Sequence, residues 1–259
     1  MILFFDSGVG GLVYMEAFQR RDPSRSCLYV ADDGMFPYGE KDPDTVRERV
    51  VRVVLSAMKR YPVEAIVVAC NTASVVALKA LREAVTVPVV GTVPAVKPAA
   101  ALTKSGHIAV LATNQTVHDP YTDDLVRQFA RIVRVSRRGL PQLVSAAERY
   151  YCSQDDREVR QVISEEVRPR LDDDVDTVVL ACTHFVRFRS HFTAVLGEQI
   201  RVVDSLDGVT RRLLHVLPER SEPLGPDESP ILLRTGGEAG SLCNNESPGP
   251  WRILRESSP

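Results

Sequence analysis

The chain has 259 residues, 44% hydrophobic and 25% charged, the balance of a soluble globular protein with one large domain or two modest ones. Its 32 basic and 34 acidic residues leave a net charge of −2, which argues against a nucleic-acid-binding protein. Five widely spaced cysteines favour free thiols in a reducing compartment over a disulfide-stapled secreted domain. Without a secretory signal or an apolar stretch near the roughly 20 residues of a membrane span, we expect a cytoplasmic protein.

Short apolar runs alternate with helical patterns along the chain. We expect strands at residues 2–5, 27–31, 65–69, 87–90, 108–111, 131–135, 177–181 and 201–203. Helical patterns cover residues 45–60, 74–84, 121–130 and 155–171. The longer runs are apolar on consecutive residues, which is typical of strands buried on both faces of a parallel sheet. The alternation of strand and helix predicts an α/β fold.

The sequence also repeats itself weakly. Residues 2–7 align with 108–113, and residues 66–72 align with 178–184, where each segment carries a cysteine just after a predicted strand. This similarity indicates a duplicated α/β unit. Residues 231–233 suggest one more strand, whereas residues 217–230 and 240–250 are rich in residues typical of loops. We therefore expect the end of the chain to be a loosely packed tail.

Cys70 and Cys182 stand at the carboxyl ends of predicted strands, where ligands bind in open α/β sheets. Polar turn residues follow each of them, Asn71-Thr72 and Thr183-His184. The start of a helix favours the thiolate form of a cysteine. A buried, inert thiol is the commoner role of cysteine and is our interpretation of Cys27. The setting shared by Cys70 and Cys182 favours a functional pair.

Two other uses of these residues remain as alternatives. Cys70, Cys182 and His184 offer three potential metal ligands, but Cys-x-His is not a usual zinc spacing, so we expect no metal. Cys70 and His184 could instead form the nucleophile and base of a hydrolase, which would leave Cys182 unexplained.

A glycine-rich turn follows the first strand. In Asp6-Ser7-Gly8-Val9-Gly10-Gly11 the third glycine of a dinucleotide fingerprint would fall on Val13, so no nucleotide cofactor is expected. Such a turn can bring backbone N–H groups near an anionic ligand, with Asp6 at the strand end. Thr113 and Thr116 follow the matching strand of the second half, where lone hydroxyls are more often helix caps than ligand contacts.

Two thiols from similar halves suit one kind of chemistry. Racemisation or epimerisation needs an acid and a base on opposite faces of one carbon, and the two groups exchange roles with the direction of reaction. The sequence therefore favours a cofactor-independent racemase.

Six motifs now resemble, in order and spacing, those of the glutamate racemase family among the aspartate/glutamate racemases. They are Asp6-Ser7-Gly8-Val9-Gly10-Gly11-Leu12, Pro37-Tyr38-Gly39, Ala69-Cys70-Asn71-Thr72-Ala73, residues 91–97, Ala112-Thr113 through Thr116-Val117, and Cys182-Thr183-His184. Thr235-Gly236 resembles the family's C-terminal Thr-Gly. The resemblance runs from residue 2 to about residue 205.

The resemblance implies two pseudo-symmetric α/β domains with mainly parallel sheets and an active site in the cleft between them. Residues 1–93 plus 206–259 would form the first domain and residues 94–205 the second. The implied activity is interconversion of L- and D-glutamate for peptidoglycan synthesis, without a cofactor or metal. The implied partner is this small substrate, with no nucleic acid or membrane, and a homodimer is left open.

By the same resemblance Cys70 and Cys182 are the two acid/base groups, Asp6 assists Cys70, and His184 assists Cys182. The implied substrate-binding residues are Asp6, Ser7, Tyr38, Gly39, Asn71, Thr72, Thr113, Thr116, Thr183 and His184.

Two departures from the family pattern bear on the second thiol. Ser145 stands where the family usually has a glutamate that supports this cysteine, so either His184 acts alone or Glu148 substitutes. Residues 185–187 read Phe-Val-Arg instead of Tyr-Pro-Leu.

Three alternatives to a glutamate racemase remain. They are an aspartate racemase of the same family, a Cys–His hydrolase or amidotransferase, and a catalytically impaired family member.

Overall fold

The structure, a computed structural model, describes residues 1–218 and 230–236 and the backbone of residues 252–255. The chain divides into one unit of Met1–Thr92 with Leu206–Pro259 and a second unit of Val93–Ser205. The chain therefore leaves the first unit at Thr92 and returns to it at Leu206.

The strands occupy the segments where the sequence places its apolar runs, with shifted ends. They are β1 (Ile2–Asp6), β2 (Cys27–Ala31), β3 (Ala65–Val68), β4 (Val89–Gly91), β5 (His107–Ala112), β6 (Arg134–Gly139), β7 (Thr177–Leu180), β8 (Arg201–Val203), β9 (Ile231–Arg234) and β10 (Arg252–Arg255). Every residue of β1, β2, β3, β5 and β7 is buried, as expected for strands covered on both faces.

The two units share one strand order. The sheet of the first unit runs β10-β9-β2-β1-β3-β4, and that of the second runs β6-β5-β7-β8. The pairings are parallel, with Ile2 opposite Cys27 and Ala65 in the first sheet and Ile108 opposite Val135 and Thr177 in the second. Since β2-β1-β3-β4 corresponds to β6-β5-β7-β8, the predicted duplication is confirmed at the level of topology.

Helices connect these strands. They are α1 (Leu12–Arg21), α2 (Pro43–Arg60), α3 (Asn71–Ala84), α4 (Val96–Leu102), α5 (Asn114–His118), α6 (Pro120–Phe129), α7 (Pro141–Ser153), α8 (Arg157–Val162), α9 (Thr183–Val186), α10 (Arg189–Leu196) and α11 (Leu206–Val216).

The starts of α2 and α3 lie earlier than the sequence pattern suggests. The Asp42 side chain accepts the N–H of Thr45 at 2.8 Å and caps α2, with Pro43 in the first turn. Cys70 caps α3, so Asn71, Thr72 and Ala73 belong to the helix and not to a preceding loop.

Two predicted elements are wrong in detail. The strand expected at residues 131–135 starts at Arg134, and Ile132 is 97% exposed, because the sheet pairing selects the polar segment that follows. The long helix expected at residues 155–171 is broken after α8 by a π-helical turn (Ile163–Val167) and a 3-10 turn (Arg168–Arg170). Pro169 lies in that last turn, and a proline has no N–H to continue a helix.

The C-terminal prediction is met in part. The strand expected at residues 231–233 is β9, and it lies between β2 and β10. The expectation of a loosely packed tail is wrong for Arg252–Arg255, which pair with β9. Most of residues 217–230 and all of residues 240–250 lie outside the described residues.

The cysteines differ in state. Cys27, Cys70 and Cys182 are outside any disulfide. Cys152 is disulfide-bonded, so the expectation of a free thiol is wrong there, and Cys243 lies outside the described residues. Across the part of the chain that the structure describes, no helix combines the length and the apolar character needed to cross a membrane.

Candidate active site

Cys70 joins the end of β3 to the start of α3. Its sulfur accepts the N–H of Ala73 at 3.4 Å, and the Ser7 hydroxyl oxygen lies 3.7 Å from the sulfur. The thiol is buried at the head of a 14-residue helix, where the peptide dipoles favour negative charge. The surroundings therefore stabilise a thiolate at this position.

Asp6 organises the glycine-rich turn beside Cys70. This fully buried side chain accepts the N–H of Ser7 at 2.8 Å and the N–H of Gly11 at 2.5 Å through its two oxygens. A Cβ on Gly11 would lie 2.7 Å from the Cβ of Ala69 and 2.9 Å from Asp6 Oδ2, so this position requires glycine. The carboxylate thus holds the turn that presents Ser7 to the thiol.

The Tyr38–Gly39 turn lies in the same unit. Tyr38 is buried, its ring centroid lies 6.3 Å from that of Phe5, and its hydroxyl donates to Asp32 at 2.5 Å. Gly39 is half-buried. The sequence analysis did not identify Asp32, although its position directly after a buried strand was a usable signal.

Asn71 shows the clearest unmet hydrogen-bonding capacity. Its side chain is buried, and neither amide atom has a hydrogen-bond partner within the described residues. Burying an amide without a partner costs about 1–3 kcal/mol. Asn71 is therefore prepared to receive one donor and one acceptor from a ligand.

Cys182 has a different setting in the second unit. It follows β7, but the helix after it has only four residues and its side chain makes no capping hydrogen bond. Cys182 therefore stands at a helix start, as expected, but this short helix gives its sulfur no capping bond like that of Cys70. The Cys182 sulfur lies 3.7 Å from Nδ1 of His184 instead, so an imidazole supports it.

Glu148 completes a buried chain from this thiol. Its Oε2 lies 2.5 Å from Nε2 of His184, and both side chains are almost fully buried. Burial lowers the pKa of His184, but hydrogen bonds to Cys182 and Glu148 and the charges of both groups outweigh this effect, so its pKa lies well above the ordinary value. Of the two alternatives raised by Ser145, the structure shows Glu148 beside His184.

The residues that depart from the family pattern after His184 are used within the second unit. Phe185 is fully buried. Arg187 donates from Nε to the Tyr151 hydroxyl at 2.9 Å and lies over its ring, and Arg189 pairs with Asp204 at 3.0 Å. These arginines therefore stabilise the segment that follows His184.

Thr113 and Thr116 lie at the carboxyl end of β5. The Thr113 hydroxyl caps α5 by accepting the N–H of Thr116 at 3.2 Å, and it donates to the Thr116 hydroxyl at 3.0 Å. Thr122 donates to the Thr116 carbonyl at 2.6 Å. The capping role expected of such hydroxyls is present, and it holds both threonines at the sheet edge.

The predicted site residues thus form two groups. The first unit brings Asp6, Ser7, Tyr38, Gly39, Cys70, Asn71 and Thr72 to the carboxyl edge of its sheet, and the second brings Thr113, Thr116, Cys182, Thr183 and His184 to the corresponding edge. Cys27 is separate from both, and burial raises its thiol pKa strongly, which fits an inert thiol. Among the described residues, no group of three or more His, Cys, Asp or Glu side chains is arranged to hold a metal ion.

The chain is similar to the members of a known protein family. A family model described as Asp/Glu/hydantoin racemase matches residues 14–213. Glutamate racemase of Salmonella typhimurium is 44% identical over 257 residues, which cover 98% of this chain and 86% of that protein.

Solved structures agree. The crystal structure of Escherichia coli glutamate racemase with L-glutamate and the activator UDP-MurNAc-Ala matches with a TM-score of 0.83 at 38% identity, covering 92% of this chain and 90% of the other. A glutamate racemase isoform from Bacillus anthracis matches with a TM-score of 0.77 at 28% identity, covering 93% and 90% of the two chains.

Proposed function

The chain belongs to the Asp/Glu/hydantoin racemase family, and on that premise we propose that it interconverts L- and D-glutamate by moving the proton at Cα. One sulfur, Cys70 or Cys182, removes the proton as a thiolate, and the other sulfur donates a proton to the opposite face as a thiol. The roles exchange with the direction of reaction. No cofactor takes part in this proposal.

The observation that carries the proposal is that each unit supports one buried sulfur by polar groups of its own. The Cys70 sulfur has the N–H of Ala73 at 3.4 Å, and the Cys182 sulfur has His184 at 3.7 Å. A group that alternates between acid and base needs a neighbour that stabilises its charged form. Asp6 acts in this proposal by holding Ser7 beside Cys70, and Glu148 acts by holding His184.

The substrate must also be held and activated. The α-proton of an amino acid is a very weak acid, so a thiolate removes it only if hydrogen bonds stabilise the charge that develops on the carboxylate. We assign this role to Ser7, to the Tyr38–Gly39 turn and to Asn71, Thr72 and Thr183, with Thr113 and Thr116 as additions. The unmet amide of Asn71 supports this assignment.

The two compact units would act as the two domains of the enzyme, each supplying one sulfur. We place the reaction in the cytoplasm, where its D-glutamate would supply peptidoglycan synthesis. The proposed partner is the amino acid alone, without nucleic acid or membrane. Sedimentation of the active preparation would tell a monomer from a homodimer.

The test is incubation of the purified protein with L- or D-glutamate in D2O, without added cofactor, followed by NMR of the α-proton and by optical rotation. We expect the α-proton to exchange and the rotation to decay from either enantiomer. Retention of both signals in both incubations would overturn the proposal. The same incubation with aspartate decides between the two amino acids. The hydrolase alternative, with Cys70 as nucleophile and His184 as base, predicts that the Cys182→Ala variant retains activity.

A further inference from the structure

The buried carboxylate of Asp32 accepts hydrogen bonds from three side chains of the first unit. Arg49 donates to it from Nε at 2.9 and 3.1 Å and from Nη2 at 2.6 Å. The Tyr38 hydroxyl donates at 2.5 Å, and the Thr235 hydroxyl donates as well. A buried charge is tolerated only when it is paired and hydrogen-bonded, and Asp32 meets both conditions.

The main chain of Asp32 connects this cluster to the first strand. Its N–H donates to the carbonyl of Asp6 at 2.8 Å, which extends the pairing of β1 and β2 by one bond. Asp6 in turn holds the turn that carries Ser7. Asp32 is therefore anchored to the same strand end as the groups beside Cys70.

Tyr38 connects the cluster to the turn expected to bind the substrate. Burial raises the pKa of Tyr38 far above its ordinary value, and the charge and hydrogen bond of Asp32 and the charge of Cys70 raise it further. Tyr38 and Cys70 pack in the same buried cluster, and the turn that carries Tyr38 contacts α3, the helix that Cys70 caps. The hydroxyl stays protonated and is committed to Asp32, so substrate contact at this turn falls to the main chain of Tyr38 and Gly39.

We propose that Asp32 is a positioning residue for the reaction, which fixes the Tyr38–Gly39 turn beside Cys70 so that its main chain can bind glutamate. Arg49 and Thr235 orient the Asp32 carboxylate, and Asp32 orients Tyr38. This inference rests on the proposed racemase function. It assigns the C-terminal Thr235 an indirect part in substrate binding.

Asp33 provides a matched control in the next position. Its carboxylate accepts from Arg234 Nε at 2.6 Å and from the N–H of Gly236 at 2.7 Å. Both aspartates are buried and both bind the end of β9, but the side-chain partners of Asp33 lie outside the Tyr38–Gly39 turn. A loss that follows merely from loosening β9 should therefore affect variants at both positions.

The experiment compares Asp32→Asn, Asp33→Asn and Tyr38→Phe with the unaltered protein, measuring KM and kcat for glutamate in both directions together with Tm. We expect Asp32→Asn to raise KM about tenfold and to lower kcat less, while Asp33→Asn lowers Tm with KM unchanged. Tyr38→Phe removes one hydroxyl and keeps the ring in the core. It should raise KM and lower Tm by less than Asp32→Asn does, because Arg49 and Thr235 still bind the Asp32 carboxylate. It therefore keeps the test valid if Asp32→Asn fails to fold.

The outcomes separate the two proposals. If the unaltered protein racemises glutamate, two results would overturn the role of Asp32 alone. One is an unchanged KM in Tyr38→Phe, and the other is an equal increase in KM in Asp32→Asn and Asp33→Asn. Absence of exchange in the unaltered protein would overturn the racemase proposal, and the role of Asp32 with it.

Discussion

Glu148 Oε2 lies 2.5 Å from His184 Nε2, and His184 Nδ1 lies 3.7 Å from the sulfur of Cys182, so a buried carboxylate, an imidazole and a thiol form one chain. The chain explains how the second unit supports its thiol without the long helix that serves Cys70. It also makes the charge of His184 depend on Glu148, which leads to the first prediction.

Glu148→Gln should lower the pKa of His184, because it removes the hydrogen bond and charge that raise this pKa. In the unaltered protein, the folded-state pKa lies above the unfolded value of about 6.5, so the stabilisation by His184 is complete below about pH 6.5 and is lost as pH rises through the folded-state pKa. The variant should be about 3–5 kcal/mol less stable at low pH, as for a broken buried pair, with a smaller deficit at high pH. Urea unfolding at several pH values measures this difference.

In the same variant, the decrease of kcat at alkaline pH should begin at a lower pH than in the unaltered protein, because His184 loses its proton at a lower pH. Glu158→Gln is the control, since Glu158 pairs with Arg149 at the surface and exposed pairs contribute little. An unchanged kcat–pH profile in Glu148→Gln would contradict the role assigned to this chain of residues.

Replacing either proposed acid/base should slow racemisation strongly while leaving exchange on one face. We expect Cys70→Ser and Cys182→Ser to lower kcat by about 10²–10⁴-fold, the usual contribution of a positioned acid or base. In D2O each variant should exchange the α-proton of one enantiomer only, and the two variants should differ in which one. Cys27→Ala serves as the control and should keep kcat, and exchange of both enantiomers by Cys182→Ser would count against a two-thiol mechanism.

Gly11→Ala should damage both stability and activity. The added methyl group would meet the Ala69 Cβ at 2.7 Å and Asp6 Oδ2 at 2.9 Å, which forces the turn away from Asp6. Overpacking of this kind costs about 1–3 kcal/mol. Gly208→Ala on α11 is the control, because nothing lies within 4 Å of its added Cβ and alanine favours a helix. Thermal unfolding and kcat/KM of the two variants test the contrast, which fails if they respond alike.

Asn71→Leu should stabilise the ligand-free protein and weaken glutamate binding. The substitution removes two buried amide atoms that have no partner in the described structure, a gain of about 1–3 kcal/mol before packing differences. It also removes the group prepared for the substrate, so KM should rise at least about tenfold. Thr92→Val removes another unpartnered buried hydroxyl and should raise Tm with KM unchanged. A lower Tm in Asn71→Leu would show that its amide already has a structural partner.

The sequence predicted what depends on local pattern. The position of Cys70 and Cys182 after strands could be predicted, because runs of buried apolar residues are visible without a structure. The strand at Arg134–Gly139 was displaced because it is polar and lies at a sheet edge, whereas the apolar residues before it suggested an earlier start.

Contacts between distant residues could not be predicted in this way. Thr235 and Asp32 are 203 positions apart, and nothing in either segment indicates that they meet. Glu148 appeared only as an alternative to the position of Ser145, because which helical side chain reaches His184 depends on how α7 packs. Both contacts are set by tertiary packing, which pattern alone does not contain.

The return of the chain at Leu206 affects the order of folding during synthesis. All residues of the second unit have been made once the ribosome passes Ser205, but the first unit still lacks α11 and the strand that lies next to β2. Domains generally fold as units as the chain emerges. The first unit therefore cannot complete its fold until residues near the end of the chain have been made. A frameshift after residue 205 would damage this unit, which contains the N-terminus.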